Sequence, residues 1–132
     1  MSIAFDLKSN VDLVQSLAPA TRNSASNGAQ VDLQGYHSAM AVFSVGAITD
    51  GTHTPKLQEA PDDGTGSPGT WADVAAADLD GTFAAFTANS IQRVGYKGTK
   101  RFVRAVVTSS GATGAIYGAD VARGRPATSP LA

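Results

Sequence analysis

The 132-residue sequence predicts an all-β chain, an antiparallel β-sandwich or barrel with at most one short helical turn. Three observations predict it. Turn dipeptides punctuate the chain at Asn27-Gly28, Asp50-Gly51, Asp63-Gly64, Asp80-Gly81 and Ser110-Gly111. Asn and Asp tolerate positive φ and Gly adopts it freely, so each dipeptide favours a tight reversal. Short runs of strand character lie between these turns, and no segment has the ten or more periodic residues of an amphipathic helix.

Taken in order, Val11 to Leu17 begins as an alternation and then shifts phase, a weak strand signal. Val31-Asp32-Leu33 is a short alternating piece. Ser38 to Ile48 is the strongest run, apolar at Ala39, Met40, Ala41, Val42, Phe43, Val45 and Ile48, a pattern expected of a strand covered on both faces. Pro55 to Ala60 puts Leu57 on one face and Lys56 and Gln58 on the other. Ile91 to Tyr96 sets Val94 and Tyr96 against Arg93, and Arg101 to Thr108 sets Val103, Ala105 and Val107 against Arg104 and Thr108. Ala115 to Ala122 is the last strand. Trp71 to Asp80 contains Ala75-Ala76-Ala77, a helix-forming run, so it is expected to make a single helical turn, or a strand at Trp71 to Ala75 followed by a loop. The chain reads as one domain over 1–132, with no internal repeat. The small polar N-terminal segment within 1–30 and the proline-bearing tail 123–132 are candidates for extended arms that dock on a neighbour.

Composition narrows the function. Alanine supplies 23 residues and Leu, Ile, Val and Phe together 27, so the core is thin and built of small side chains. With no cysteine, disulfides, thiolate metal sites and a Cys nucleophile are excluded. No apolar stretch approaches the roughly 20 residues of a membrane span. Met1 to Asn10 carries Asp6 and Lys8 and lacks a basic-then-apolar pattern, so no secretory export and no membrane partner are expected. The net charge of −1 hides an asymmetry. Residues 50–80 carry seven acids against Lys56, and residues 81–132 carry Asp120 against Arg93, Lys97, Lys100, Arg101, Arg104, Arg123 and Arg125. Such segments either pair within the domain or mark complementary protein-contact surfaces. Nucleic acid is not expected as a partner, because bases are not in excess overall and aromatics for stacking are few.

No motif carries catalysis. Gly64 to Gly69 matches G-x-G-x-x-G in letters only: Asp62 and Asp63 would repel phosphate and no long helix follows, so a hairpin loop is expected. His37 and His53 lack metal-ligand spacing; one is expected to hydrogen-bond locally and the other to be solvated. Asp62/Asp63 and Asp78/Asp80 lack the twelve-residue calcium loop with its closing Glu. No G-x-S-x-G elbow is present. The sequence therefore predicts no enzyme, no cofactor and no metal. Trp71, Tyr36, Tyr96 and Tyr117 suit core or inter-strand roles, although Trp71 also offers a stacking face for a sugar ring.

A resemblance adds to this reading. Ile48-Thr49-Asp50-Gly51-Thr52-His53-Thr54-Pro55-Lys56-Leu57-Gln58-Glu59, then Asp62-Asp63-Gly64 and Trp71-Ala72-Asp73-Val74, resemble a strand–turn–strand unit of small tailed-bacteriophage proteins. Val94-Gly95-Tyr96-Lys97-Gly98-Thr99-Lys100-Arg101-Phe102-Val103-Arg104 is similar to their GY-x-G-x-KR-aromatic-hydrophobic-R signature, and together the two cover about residues 31–124. Gly64 to Thr70 departs from the pattern, being richer in Gly and Pro than the short turn expected there. The family comprises capsid cement or decoration proteins of jelly-roll type. The resemblance implies a structural protein of the virion surface, made in the bacterial cytoplasm, that binds the phage major capsid protein and stabilises contacts between its subunits. A homo-oligomer, dimer or trimer, is expected because a thin core gains from added buried area. The expected protein-contact residues are Arg93, Lys97, Lys100, Arg101, Arg104, Arg123 and Arg125, with Arg101 and Arg104 alternatively pairing with the acidic segment. A carbohydrate-binding β-sandwich and a phage head–tail connector or tail component are the alternatives.

Overall fold

The computed structural model describes residues 7–110 and 114–126. Its strands are β1 (Val11–Arg22), β2 (Ser26–Asn27), β3 (Val31–Asp32), β4 (Tyr36–Ile48), β5 (Thr52–Ala60), β6 (Ala72–Asp73), β7 (Leu79–Asp80), β8 (Ser90–Tyr96), β9 (Phe102–Ser110) and β10 (Ala115–Pro126). They form two antiparallel sheets, which makes the molecule a β-sandwich. One sheet runs β1-β10-β4-β8-β7; the other runs β2-β9-β5-β6, with β3 also on β9. A single 3₁₀ turn, Ala76–Asp78, separates β6 from β7, so the 71–80 segment contains both the short strand and the helical turn that its composition suggested.

Alternation places the core. Ala41, Phe43 and Val45 of β4, Tyr117, Ala119 and Val121 of β10, Val94 and Tyr96 of β8, Leu57 of β5, and Val103, Ala105 and Val107 of β9 are buried between the sheets. Small residues oppose large ones across the ladder: Phe43 stands beside Ala119 and Ala41 beside Val94. The alanine-rich composition thus lets two sheets approach around a few rings. Phe43 meets Phe83 edge to face at 5.7 Å, and Phe86 packs on Tyr117 at 5.1 Å, so the 83–86 segment closes the core like a strap. Gln92 holds that strap by accepting from the Ala84 N–H and donating to the Ala84 carbonyl.

The structure differs from the sequence expectations in four places. The N-terminal segment expected as an arm is built into the sandwich in its described part: β1 pairs with β10 from Val11–Gly124 to Arg22–Ala115, and β2 pairs with β9. Its weak signal has a physical cause, because β1 carries two register shifts, between Gln15 and Leu17 and between Leu17 and Ala20, which break the two-residue period. In the expected tail, residues 123–126 continue β10, and residues 127–132 lie outside the described residues. β4 was expected to be covered on both faces, yet Met40 and Val42 are only half-buried and Ser44 is exposed. Gly28 makes no positive-φ turn. It is a close approach, where an added Cβ would lie 2.3 Å from Ser16 Oγ. Gly51, Gly64 and Gly81 do adopt positive φ at their turns, and Gly111 lies outside the described residues.

Candidate protein-contact surface

The basic residues divide into two groups once the strands are paired. Arg101, Arg104 and Arg123 are committed within the chain. Arg101 grips Asp32 with two nitrogens at 3.0 and 2.9 Å and reaches Asp62 at 3.2 Å. The Arg101 hydrogen bond holds the Asp32 carboxyl below the ordinary aspartate range, against a smaller opposing effect of burial. Arg104 donates twice to Gln58 Oε1 and lies 4.5 Å above the Trp71 ring. Arg123 pairs with Asp12, donates to the Asp32 carbonyl and covers Tyr36 at 4.3 Å. Through Asp32 these contacts tie β1, β3 and β10 to the β8–β9 loop. The reading in which acidic and basic segments pair within the domain therefore holds in part, through Arg101 and Asp62.

Arg93, Lys97 and Lys100 form the other group. All three are exposed, and among the described residues none takes part in an ion pair. Lys97 and Lys100 flank the β8–β9 loop. Lys100 borders an open cavity of about 430 Å³ whose other walls include Leu33, Tyr36, His37, Tyr96 and Arg101. Tyr96 positions this loop: its hydroxyl donates to Glu59 Oε1 at 2.7 Å and accepts from the Lys100 N–H at 3.1 Å. Gly98 is required beneath it, because an added Cβ would lie 2.4 Å from the Tyr96 hydroxyl. Burial, reinforced by Glu59, pushes the Tyr96 phenol well above its usual value, so it stays protonated as a donor. The cavity thus has tyrosine walls, with Lys100 and the paired Arg101 at its edge. The side chain of Arg125 lies outside the described residues.

The remaining candidates are accounted for locally. His53 is buried, with Nδ1 at 2.9 Å from Ser109 Oγ and Nε2 at 3.0 Å from the Asp50 carbonyl, whereas His37 is exposed. The glycine-rich loop is a hairpin closed by an Asp62–Pro68 bridge, in which Asp62 and Asp63 accept from Gly64, Gly66 and Thr65. Among the described residues no three His, Asp or Glu side chains cluster as a metal site, and no helix is long and apolar enough to cross a membrane. Tyr96 and Tyr117 are buried, while Tyr36 and Trp71 are half-buried beneath arginines. Sequence reasoning missed Ser16, Glu59 and Asp32 as inter-element ties, because each partner lies tens of residues away.

No family model and no curated protein matches the chain. Among solved structures, it is similar to a chain in the structure of infectious bursal disease virus, Gx strain, with a TM-score of 0.52 at 11% identity. The match covers 93% of this chain and 37% of that one, so this chain spans little more than a third of its neighbour's length. At this identity the likeness is one of fold: the β-sandwich of this chain has a counterpart in a virus structure.

Proposed function

We propose that this chain is a structural virion protein that binds the outer surface of a capsid and reinforces contacts between major capsid subunits, as the resemblance to phage cement proteins implies. The observation that carries the reading is the sandwich it shares, over 93% of its length, with a chain of a virus structure. The surface is in keeping with that role. Lys97 and Lys100, which take part in no ion pair among the described residues, lie on one loop held by Tyr96, which suits an interface more than an active site. In this reading Lys97 and Lys100 contact acidic groups of the shell, while Arg101, Arg104 and Arg123 keep the domain rigid.

The test is co-sedimentation with capsids of the matching virus. Wild-type chain is expected to pellet with shells at a fixed stoichiometry. The Lys97→Glu/Lys100→Glu double variant is expected to bind at least about tenfold more weakly with an unchanged unfolding midpoint, since like charges placed across an interface oppose association. No stoichiometric pelleting of the wild type would reject the cement role. Unchanged binding of the double variant would remove these two lysines from the interface.

A further inference from the structure

The outer faces of the two sheets are built differently. On the second sheet, Val106 and Phe102 are buried, Arg104 roofs Trp71, and Lys56 pairs with Asp73. On the first sheet, the outward residues form rows across β1, β10, β4 and β8: Leu13, Ala122, Met40 and Gly95, then Gln15, Asp120, Val42 and Arg93, then Gly118, Ser44 and Ile91. Leu13 is 65% exposed, Ile91 70% and Ile116 44%. Apart from Gln15 and Ser44, the uncharged positions of these rows are apolar or glycine.

Two of the charges on this face show what fits it; a third, Asp80, extends the first row beyond Gly95 onto β7. Asp120 and Arg93 occupy one row on either side of Val42. Two strand spacings, about 10 Å, separate them, so they do not pair with each other, and neither takes part in an ion pair among the described residues. The next row repeats the relation in shape. Ile91 projects on one side of Ser44, and on the other side a dent of about 200 Å³ lies beside Gly118, bounded by Pro19, Gly46 and Ile116. Gly118 lets β1 close over β10 at the edge of this dent, because an added Cβ would lie 3.0 Å from the Pro19 nitrogen and 3.1 Å from the Leu17 carbonyl oxygen.

We propose that this face binds a second copy of the chain, sheet against sheet, about a twofold axis lying in the interface along β4. A twofold contact requires the same patch to be complementary to itself. An axis along β4 exchanges the β8 and β10 sides, so Arg93 of each copy meets Asp120 of the other, and each Ile91 faces the dent beside the other's Gly118. An axis across the strands through this row would set Arg93 against Arg93 and is rejected by charge. Aligned sheet packing, offset by roughly 30°, accommodates the first arrangement. Four strands over the seven residues of β8 give a footprint of roughly 450 Å² per copy, or about 900 Å² for the pair, the size of a weak, reversible contact. Arg93 then serves the self-contact, and Lys97 and Lys100 remain available to another partner.

The experiment needs no capsid, so its outcome is separate from that of the cement reading. Sedimentation velocity of the purified chain, up to about millimolar concentration, is expected to show a monomer–dimer equilibrium. Arg93→Asp alone and Asp120→Arg alone are each expected to raise the dimer dissociation constant at least about tenfold, because both copies then present like charges. An equimolar mixture of the two variants is expected to restore the dimer, since both contacts become opposite in sign again. Ile91→Ser, at a side chain already 70% exposed, tests the same face without a change of charge and is expected to weaken the dimer. A wild type that stays monomeric overturns the proposal, whether or not another protein binds this face. A dimer indifferent to all three substitutions also overturns it.

Discussion

Ser16 ties the two sheets with one hydroxyl. Its Oγ donates to the Ala29 carbonyl at 2.8 Å and accepts from the Ala105 N–H at 3.0 Å, so β1 of the first sheet is fastened to β9 of the second. Alternation from the outward Leu13 and Gln15 points Ser16 inward, and the register shift there turns Leu17 inward as well. Gly28 passes directly over it, and no side chain fits there. Ser16→Ala is expected to lower stability by about 1–3 kcal/mol, the cost of leaving buried backbone groups unpaired. It should be read as a lower urea midpoint with an unchanged slope. Nothing in the local sequence marks this serine among 12, because the groups that give it meaning are 13 and 89 residues away. The tyrosines were more legible, since a large ring in a chain of small residues has few places to go other than the core, and Tyr96 and Tyr117 are both found there.

At the scale of elements, β8 was legible because it keeps a two-residue period over its whole length, as β5 does from Thr52 to Gln58, whereas the buried Phe102 and Val106 interrupt it in β9. β1 was not, since its shifts and Pro19 erase that period, and the two-residue strands β2, β3, β6 and β7 are too short to show one. Edge protection was equally hidden. Pro55 has no N–H to offer, and the neighbouring His53 and Leu57 carbonyls accept from Phe86 and Val74, so β5 presents few open groups to another strand. The clearest element-level tie is Arg101 with Asp32 and Asp62, which joins β3 and the β5–β6 loop to the start of β9. Because the Asp32 carboxyl is held below its ordinary value chiefly by Arg101, the folded state binds that proton less readily than the unfolded chain does. Its contribution is therefore present above about pH 4 and lost as pH falls through the lowered value. The Asp32 side chain is 39% exposed, so solvent screening limits this contribution to about 1 kcal/mol or less. Urea midpoints measured between pH 6 and pH 2 should decline on the acid side, and Asp32→Asn should be less stable at pH 6 while losing less on acidification. An equal acid loss in both proteins would show that the pair contributes nothing.

At the scale of the molecule, the topology governs how the chain folds. β1 pairs with β10, joining Val11 to Gly124, and β4 also pairs with β10, joining Tyr36 to Pro126. The β1–β10 and β4–β10 pairs each close a loop of about half the chain or more, and loop closure costs entropy before any contact returns it. The small β7–β8 pair is the most local contact in that sheet, and it is too short to stand alone. Turn dipeptides and alternation made the class of fold legible, but the order β1-β10-β4-β8-β7 was not, because strand partners are chosen by the joint packing of both sheets around Phe43, Phe86 and Tyr117. Phe43 is fully buried between the Phe83–Phe86 strap and the small residues of β10, so Phe43→Ala should cost about 3–5 kcal/mol. That is a large share of the roughly 5–15 kcal/mol that holds a domain together. Refolding is expected on the millisecond-to-second scale of all-β domains rich in non-local pairing. Trp71, the sole tryptophan, reports it, since its ring lies beneath Arg104 of β9 only when the second sheet has formed. Stopped-flow fluorescence of the wild type and of Phe43→Ala separates two cases. If Phe43 helps to nucleate the sandwich, the substitution slows refolding; if the ring packs after the rate-limiting pairing, the loss appears as faster unfolding. Refolding in microseconds would show instead that the long β1–β10 closure does not limit the rate.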